Sequence, residues 1–216
     1  MKLSICLRQS SRLAAAAAAL LAVSSCASST TRTGRSPAYL IINSLTAASG
    51  AQAGTFGTQL NSDVQTLVSQ TVNGAQVKVP TIFNDLGQAS VRMALKNEGS
   101  AGSPTSPSEA NQITITRYHV EYKRADNRNA PGVDVPFGFD GGVTTTVGTS
   151  AVTFNFDLVR HTQKEEPPLR NLVSGGGLGE IHTIAEVTFY GKDQAGNEVS
   201  VTGLITVNFA DFGDPS

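Results

Sequence analysis

Residues 184–209 read IAEVTFYGKDQAGNEVSVTGLITVNF, and this stretch decides the fold class. Apolar and polar residues alternate along both of its arms, with a period of two that is typical of a half-buried β-strand. Between the arms, residues 191–197 contain glycine, asparagine and aspartate, which favour chain reversal. We therefore predict a long β-hairpin. Its apolar face carries Ala185, Val187, Phe189, Val199, Val201, Ile205, Val207 and Phe209, and a second sheet must cover it.

The same alternation recurs upstream in residues 89–95, 113–123 and 152–158. In residues 113–123 the apolar phase changes between Ile115 and Tyr118, which predicts a β-bulge near Thr116 and Arg117. We predict an all-β fold, a single antiparallel β-sandwich of about seven to nine strands over residues 37–212. The predicted core consists of Val91, Met93, Leu95, Tyr118, Val120, Phe154, Phe156, Val187, Phe189, Val201, Ile205 and Val207.

The composition indicates one globular domain with no nucleic-acid partner. The chain has 216 residues, of which 39% are hydrophobic and 15% charged. The first 25 residues hold three of the 16 basic residues and no acid, which leaves 13 basic residues against 17 acidic ones, a formal charge of −4. A nucleic-acid-binding protein needs a basic surface instead. The only cysteines are Cys6 and Cys26, so residues 37–212 contain no disulfide, no thiolate metal site and no thiol nucleophile.

Residues 1–25 have the pattern of a secretory signal peptide. Lys2, Arg8 and Arg12 make the start positive, and residues 13–23 form an apolar run. That run has the length of a signal-peptide core and is too short to span a membrane. We predict that the leader is removed from the mature protein.

The leader ends in Val23-Ser24-Ser25-Cys26, which resembles a bacterial lipobox. The resemblance implies that Cys26 receives a diacylglycerol group, becomes the mature N-terminus and attaches the protein to membrane lipid. Each buried methylene of such an anchor contributes about 0.8 kcal/mol. The alternative is an ordinary secretory leader cut near this point, with Cys26 incidental.

Residues 26–36 are predicted to be the lipidated cysteine and a flexible tether, because residues 27–36 are small and polar. Ala27 follows the cysteine. In the lipoproteins that this leader resembles, an acidic residue there signals retention in the inner membrane. The expected location is therefore the cell membrane, through a lipid anchor, and the outer membrane if the cell has two.

We predict no catalytic residue, cofactor or metal site. His119, His161 and His182 lie in separate segments, so a three-histidine site depends on tertiary convergence. The glycine-rich residues 174–179 lack the following helix and the Lys-Ser or Lys-Thr pair of a phosphate-binding loop, which indicates a flexible turn.

Two acidic segments are candidate calcium sites. They contain Asp126, Asp134 and Asp140 in one loop and Asp193, Asn197 and Glu198 in the final turn. Neither has the ligand spacing of an EF-type loop, and turn chemistry accounts for both.

The alternating strands, the loops rich in proline and glycine, and the hairpin FYGKDQAGNEV at residues 189–199 resemble immunoglobulin-like or fibronectin type III-like sandwiches of bacterial envelope proteins. The whole chain resembles small bacterial lipoproteins with such a domain. It departs from antibody-type domains in having no tryptophan and no cysteine pair. The resemblance implies a lipid-anchored, non-catalytic domain for binding or structural support. The alternatives are an accessory subunit that holds an envelope protein partner, and a hydrolase acting on envelope polymer.

Overall fold

The computed structural model describes residues 34–173 and 179–213, and this part of the chain is all-β, as predicted. Its strands are β1 Ala38–Ala48, β2 Gln59–Asp63, β3 Thr66–Val72, β4 Ala75–Thr81, β5 Asp85–Leu95, β6 Gly99–Ser100, β7 Ser103–Pro104, β8 Ile113–Lys123, β9 Phe139–Val147, β10 Val152–Val159, β11 Ile181–Asp193 and β12 Glu198–Ala210. The helical elements are short: the helix α1 His161–Lys164 and 3₁₀ turns at Gly50–Gln52, Glu109–Asn111 and Leu169–Leu172.

Two sheets carry the fold. One has three strands in the order β1-β5-β10, and the other has five in the order β2-β12-β11-β8-β9. The pairs β3-β4 and β6-β7 form separate two-stranded sheets. The prediction of a purely antiparallel fold is wrong at one pair, because β2 runs parallel to β12.

The C-terminal hairpin is confirmed as β11 and β12. They pair antiparallel from Ile181 opposite Phe209 to Lys192 opposite Glu198. The turn between them uses Gly196, whose φ of +82° favours glycine. The predicted apolar face of the hairpin is the one that points into the core.

The bulge predicted near Thr116 is also confirmed. Against β11, the register of β8 shifts between Ile115 and Arg117, so Thr116 is the extra residue of that pair. Against β9 the shift has the opposite sense, because Val143 and Thr144 of β9 lie opposite Thr116. Opposite the bulge, a Cβ on Gly191 would lie 2.5 Å from the carbonyl oxygen of Thr114. Only glycine fits there, and the bulge turns the apolar side chains on both sides of it to the core.

An aromatic cluster joins the two sheets. The ring of Phe189 on β11 lies 5.3 Å from that of Phe154 and 5.2 Å from that of Phe156, both on β10, between ring centroids. Tyr118 on β8 contacts Phe156 at 5.1 Å. Of the predicted core, only Phe154 and Val201 are half-buried, and both pack against the buried residues. The predicted core is therefore confirmed.

Two loop predictions are wrong. Residues 161–168 are charged and end in two prolines, a sequence that predicts an exposed connection, but Gln163 and Lys164 in α1 are buried. The prolines and glycines of residues 126–142 predict a loop over that whole range, but β9 already begins at Phe139.

Residues 1–33, 174–178 and 214–216 lie outside the described part of the chain. They hold the predicted leader, Cys26, most of the tether and most of the glycine-rich turn. In residues 34–173 and 179–213, no helix has the length and apolar character needed to cross a membrane.

Phe189→Ala should lower the free energy of unfolding by about 3–5 kcal/mol, because it leaves a cavity between the sheets. The matched control is Thr188→Ala, which alters the half-buried side chain next to it, on the opposite face of β11. The control should cost less than about 1 kcal/mol. Urea denaturation measures both values, and equal losses would contradict the assignment of the two faces.

Candidate functional site

A buried ion pair is the most concentrated polar chemistry in the described residues. The Nζ atom of Lys164 lies 2.9 Å from Oδ2 of Asp85, and the two side chains are 1% and 0% exposed. Lys164 also donates to the carbonyl oxygen of Asp63 at 2.8 Å. Asp85 accepts two further hydrogen bonds, from Oγ of Ser62 at 2.6 Å and from the backbone N–H of Gly50 at 2.8 Å. Both charges are thus well solvated by protein groups.

Four segments position this network, called here the Asp85–Lys164 network. Asp85 begins β5, Lys164 ends α1, Ser62 lies in β2, and Gly50 opens a 3₁₀ turn. A Cβ on Gly50 would come within 2.3 Å of the carbonyl oxygen of Asn84. Only glycine therefore allows this backbone N–H to reach Asp85.

The contacts of the Asp85–Lys164 network stabilise the folded structure. Burial raises the pKa of Asp85, while Lys164 and the N–H and O–H donors lower it in part. A serine, a lysine and an aspartate in contact resemble groups used in nucleophilic catalysis. Ser62, however, is fully buried and donates its proton to Asp85. A substrate has no path to this hydroxyl.

A second buried contact holds α1 in place. The hydroxyl of Tyr122 donates to the carbonyl oxygen of Leu158 at 2.6 Å and lies 3.4 Å from Oε1 of Gln163. The same Oε1 accepts from the backbone N–H of Arg160 at 2.9 Å. Burial raises the pKa of Tyr122, so this phenol stays protonated. The charged segment that begins at residue 161 is thereby fixed against the core.

One cleft lies beside the network. It has a volume of about 200 Å³ and borders Asp63, Asn61, Gln52 and Phe212. Asp63 accepts from Oγ1 of Thr66 at 2.6 Å, and burial raises its pKa while its hydrogen bonds lower it in part. The cleft offers amide groups and one carboxyl group, that of Asp63, which is held by hydrogen bonds. None of the residues that line the cleft is a base that could pair with this carboxyl group.

The three histidines do not converge. The Nδ1 atom of His119 lies 3.3 Å from Asp140, that of His161 lies 2.9 Å from Oδ1 of Asn84, and that of His182 lies 2.9 Å from Oδ1 of Asn208. Across residues 34–173 and 179–213, no group of three or more His, Cys, Asp or Glu side chains is arranged to hold a metal ion.

The three aspartates considered as calcium ligands, Asp126 and Asp134 in the loop and Asp140 in β9, are each paired with an arginine. Arg124 holds the pKa of Asp126 at about 2 through its hydrogen bonds to that carboxylate. The nitrogen–oxygen distances are 2.6 Å for Arg124–Asp126, 2.9 Å for Arg128–Asp134 and 3.2 Å for Arg117–Asp140. These ion pairs order the loop and neutralise its acids.

A shallow depression of about 340 Å³ lies at the β8 bulge on the outer face of the five-stranded sheet. Its charged groups are Arg117, Lys192 and Glu198. The guanidinium of Arg117 lies 3.8 Å above the ring of Tyr190 and also pairs with Asp140. Its cation is therefore already engaged within the protein.

No protein-family model, curated protein or solved structure matches this chain. Function must therefore be inferred from the protein's own features: the leader, the Asp85–Lys164 network and the exposed surface.

The motifs and spacings of the sequence do not predict this network, although one signal for Asp85 is present. Asp85 has the same parity as Ala89, Val91, Met93 and Leu95, so extending the alternation toward the N-terminus places it on the buried face. No comparable periodicity marks Lys164, which lies among polar residues.

Lys164→Met should lower the free energy of unfolding by about 3–5 kcal/mol, because it leaves the Asp85 carboxylate buried and unpaired. The double variant Asp85→Asn/Lys164→Met should recover part of the loss, since a neutral amide needs no counter-charge. Lys192→Met, at an exposed lysine, is the control and should change stability by less than about 0.5 kcal/mol. A double variant as unstable as Lys164→Met would contradict a charge-based role.

The hydrogen bonds of Asp193 predict that the C-terminal hairpin becomes less stable as the pH falls. Burial raises the pKa of Asp193, but hydrogen bonds from the side chain and backbone of Asn197, and from other groups of the turn, bring it below its ordinary value. The folded state therefore binds this proton more weakly than the unfolded state. Its stabilising effect is present above about pH 4 and is lost as pH falls through the lowered pKa.

Thermal unfolding of Asp193→Asn between pH 3 and pH 7 tests this dependence. The variant should be less stable than the wild type at pH 7, and the two should converge toward pH 3. A difference that does not change with pH would exclude the carboxylate charge as the cause.

Proposed function

We propose that this chain is a cell-envelope lipoprotein, anchored through Cys26, that presents a non-catalytic β domain for binding or structural support. The observation that carries the proposal is the leader, in which a basic start and an apolar run end in Val23-Ser24-Ser25-Cys26. The partner would be membrane lipid, bound through the acyl chains on Cys26. The location would be a cell membrane, and the outer one in a cell with two, because Ala27 is not acidic.

The start of the folded domain supports a tether after Cys26. Gly34 and Arg35 are exposed, Ser36 is buried, and β1 begins at Ala38. The hydroxyl oxygen of Ser36 accepts from the backbone N–H of Ala38 at 3.3 Å. The domain thus starts about ten residues after the proposed anchor, which leaves a small, polar connection between lipid and protein.

The use of charged groups supports a non-catalytic role. Asp85 and Lys164 neutralise each other out of reach of solvent, and Asp126 and Asp134 each pair with an arginine. Groups that are matched in this way hold loops and strands in place. A catalytic acid or base must instead reach a substrate.

An immunoglobulin-like sandwich is the finer description that we propose for the fold. Its support is the aromatic contact across the three- and five-stranded sheets, as between Phe154 and Phe189. The parallel β2-β12 pair is a departure from a purely antiparallel arrangement. An experimental structure compared with immunoglobulin domains tests this description.

Cys26→Ala tests the anchor. The wild-type chain should enter the detergent phase on Triton X-114 partitioning, and its mature N-terminal peptide should carry the mass of an acylated cysteine. Cys26→Ala should give an unprocessed or soluble form, because the thiol is the acceptor of the lipid. Cys6→Ala is the matched control, since the leader that contains it is removed, and it should behave as the wild type. An unmodified N-terminus at any other residue would refute the proposal.

A further inference from the structure

The turn between β3 and β4 carries the only Asn-Gly sequence of the chain, at Asn73 and Gly74. The last pair of the two strands is Val72 opposite Ala75, so Asn73 and Gly74 form a two-residue turn. Their φ angles are +50° and +82°, the positive values that tight hairpins require. Asparagine and glycine adopt such angles more readily than other residues.

The rest of the protein does not hold these two residues. Both are exposed. Within the described residues, no hydrogen bond reaches the side chain of Asn73 or the backbone N–H of Gly74. A Cβ on Gly74 would meet no heavy atom within 4 Å beyond its chain neighbours. The side-chain amide of Asn73 is therefore free to turn toward the nitrogen of Gly74.

An asparagine in this setting can react with the backbone nitrogen that follows it. A bond forms between the nitrogen of Gly74 and Cγ of Asn73, which closes a five-membered succinimide ring. The bond from Cγ to Nδ2 breaks, and the proton of the attacking nitrogen leaves with that group as ammonia. Glycine permits the approach because it has no Cβ to crowd its nitrogen.

Water then opens the succinimide ring at one of its two carbonyl carbons. It adds a hydroxyl group to the carbon and returns a proton to the nitrogen of Gly74. Opening at Cγ gives aspartate, whereas opening at the backbone carbonyl carbon of Asn73 gives isoaspartate, in which the main chain runs through the former side chain. Either product has lost ammonia and gained water, and its carboxyl group is ionised at neutral pH.

Asn127 offers a comparison within the same chain. It is exposed, its φ is +62°, and within the described residues its side chain makes no hydrogen bond either. The residue that follows it is Arg128, which has a Cβ. The backbone N–H of Arg128 also donates to Oδ1 of Asp126 at 3.2 Å. The attacking nitrogen is thus crowded and engaged at Asn127, and open and free at Asn73.

The reaction would change the hairpin at its most sensitive point. A two-residue turn fixes the register of the strands it joins, and isoaspartate adds one backbone carbon to that turn. Over the described residues, β3 and β4 pair only with each other, and such a hairpin is marginally stable. Both products also add a negative charge to a hairpin whose one charged residue is Lys78.

We infer that Asn73 is a site of spontaneous deamidation, through a succinimide formed with Gly74, and that the isoaspartate product opens the outer end of the β3–β4 hairpin. The modified molecule differs from the new one at a single exposed turn. The inference uses only the turn and its chemistry, so it does not depend on the proposed anchor at Cys26.

Incubation of the full chain at neutral pH, followed by peptide mass spectrometry over time, tests the reaction. The peptide that contains Asn73 should gain about 1 Da at least tenfold faster than the peptide that contains Asn127. Fragmentation of the product should identify isoaspartate as well as aspartate. Asn73→Gln keeps the amide but would need a larger ring, so it should remove the gain at residue 73 and leave Asn127 unchanged.

Hydrogen exchange of the isoaspartate form, separated by chromatography, tests the structural effect. The backbone amides of Val72 and Ala75 should exchange at least tenfold faster than in the unmodified protein, while those of β11 should not change. Equal rates at Asn73 and Asn127, or aspartate without isoaspartate, would overturn the succinimide route. Unchanged exchange at Val72 and Ala75 would overturn the opening of the hairpin.

Discussion

The ion pair between Lys164 and Asp85 is the constraint on which the arrangement of the two sheets depends. Its groups come from β5 of the three-stranded sheet, β2 of the five-stranded sheet, α1 and a 3₁₀ turn. Because both charges are buried, each requires the other and the remaining hydrogen bonds to avoid a large desolvation cost. Apolar packing alone tolerates small shifts between layers, whereas this network requires one arrangement of the four segments.

The hydrophobic core provides most of the driving force, and small residues set how closely its layers approach. A Cβ on Gly87 would lie 2.3 Å from the ring of Phe156, and one on Gly141 would lie 2.2 Å from the ring of Tyr118. These glycines leave room for the aromatic rings between the sheets. Buried aromatic area stabilises the contact, and the glycines allow it to form without strain.

Several polar groups of the domain hold its own turns and segments in place. Asp193 closes the last hairpin turn, and Tyr122 and Gln163 hold α1. Such groups support the scaffold.

The sequence by itself determined those strands in which apolar and polar residues alternate. The C-terminal hairpin, the bulge at Thr116 and the buried phase of β5 all follow from a period of two, since a strand reports on its own sequence which side faces the core. Only the tertiary structure decided the fate of Lys164 and the parallel pairing of β2 with β12. A lysine among polar residues is buried only if a distant carboxylate meets it. That meeting depends on how α1 and β5 pack, which no local pattern encodes.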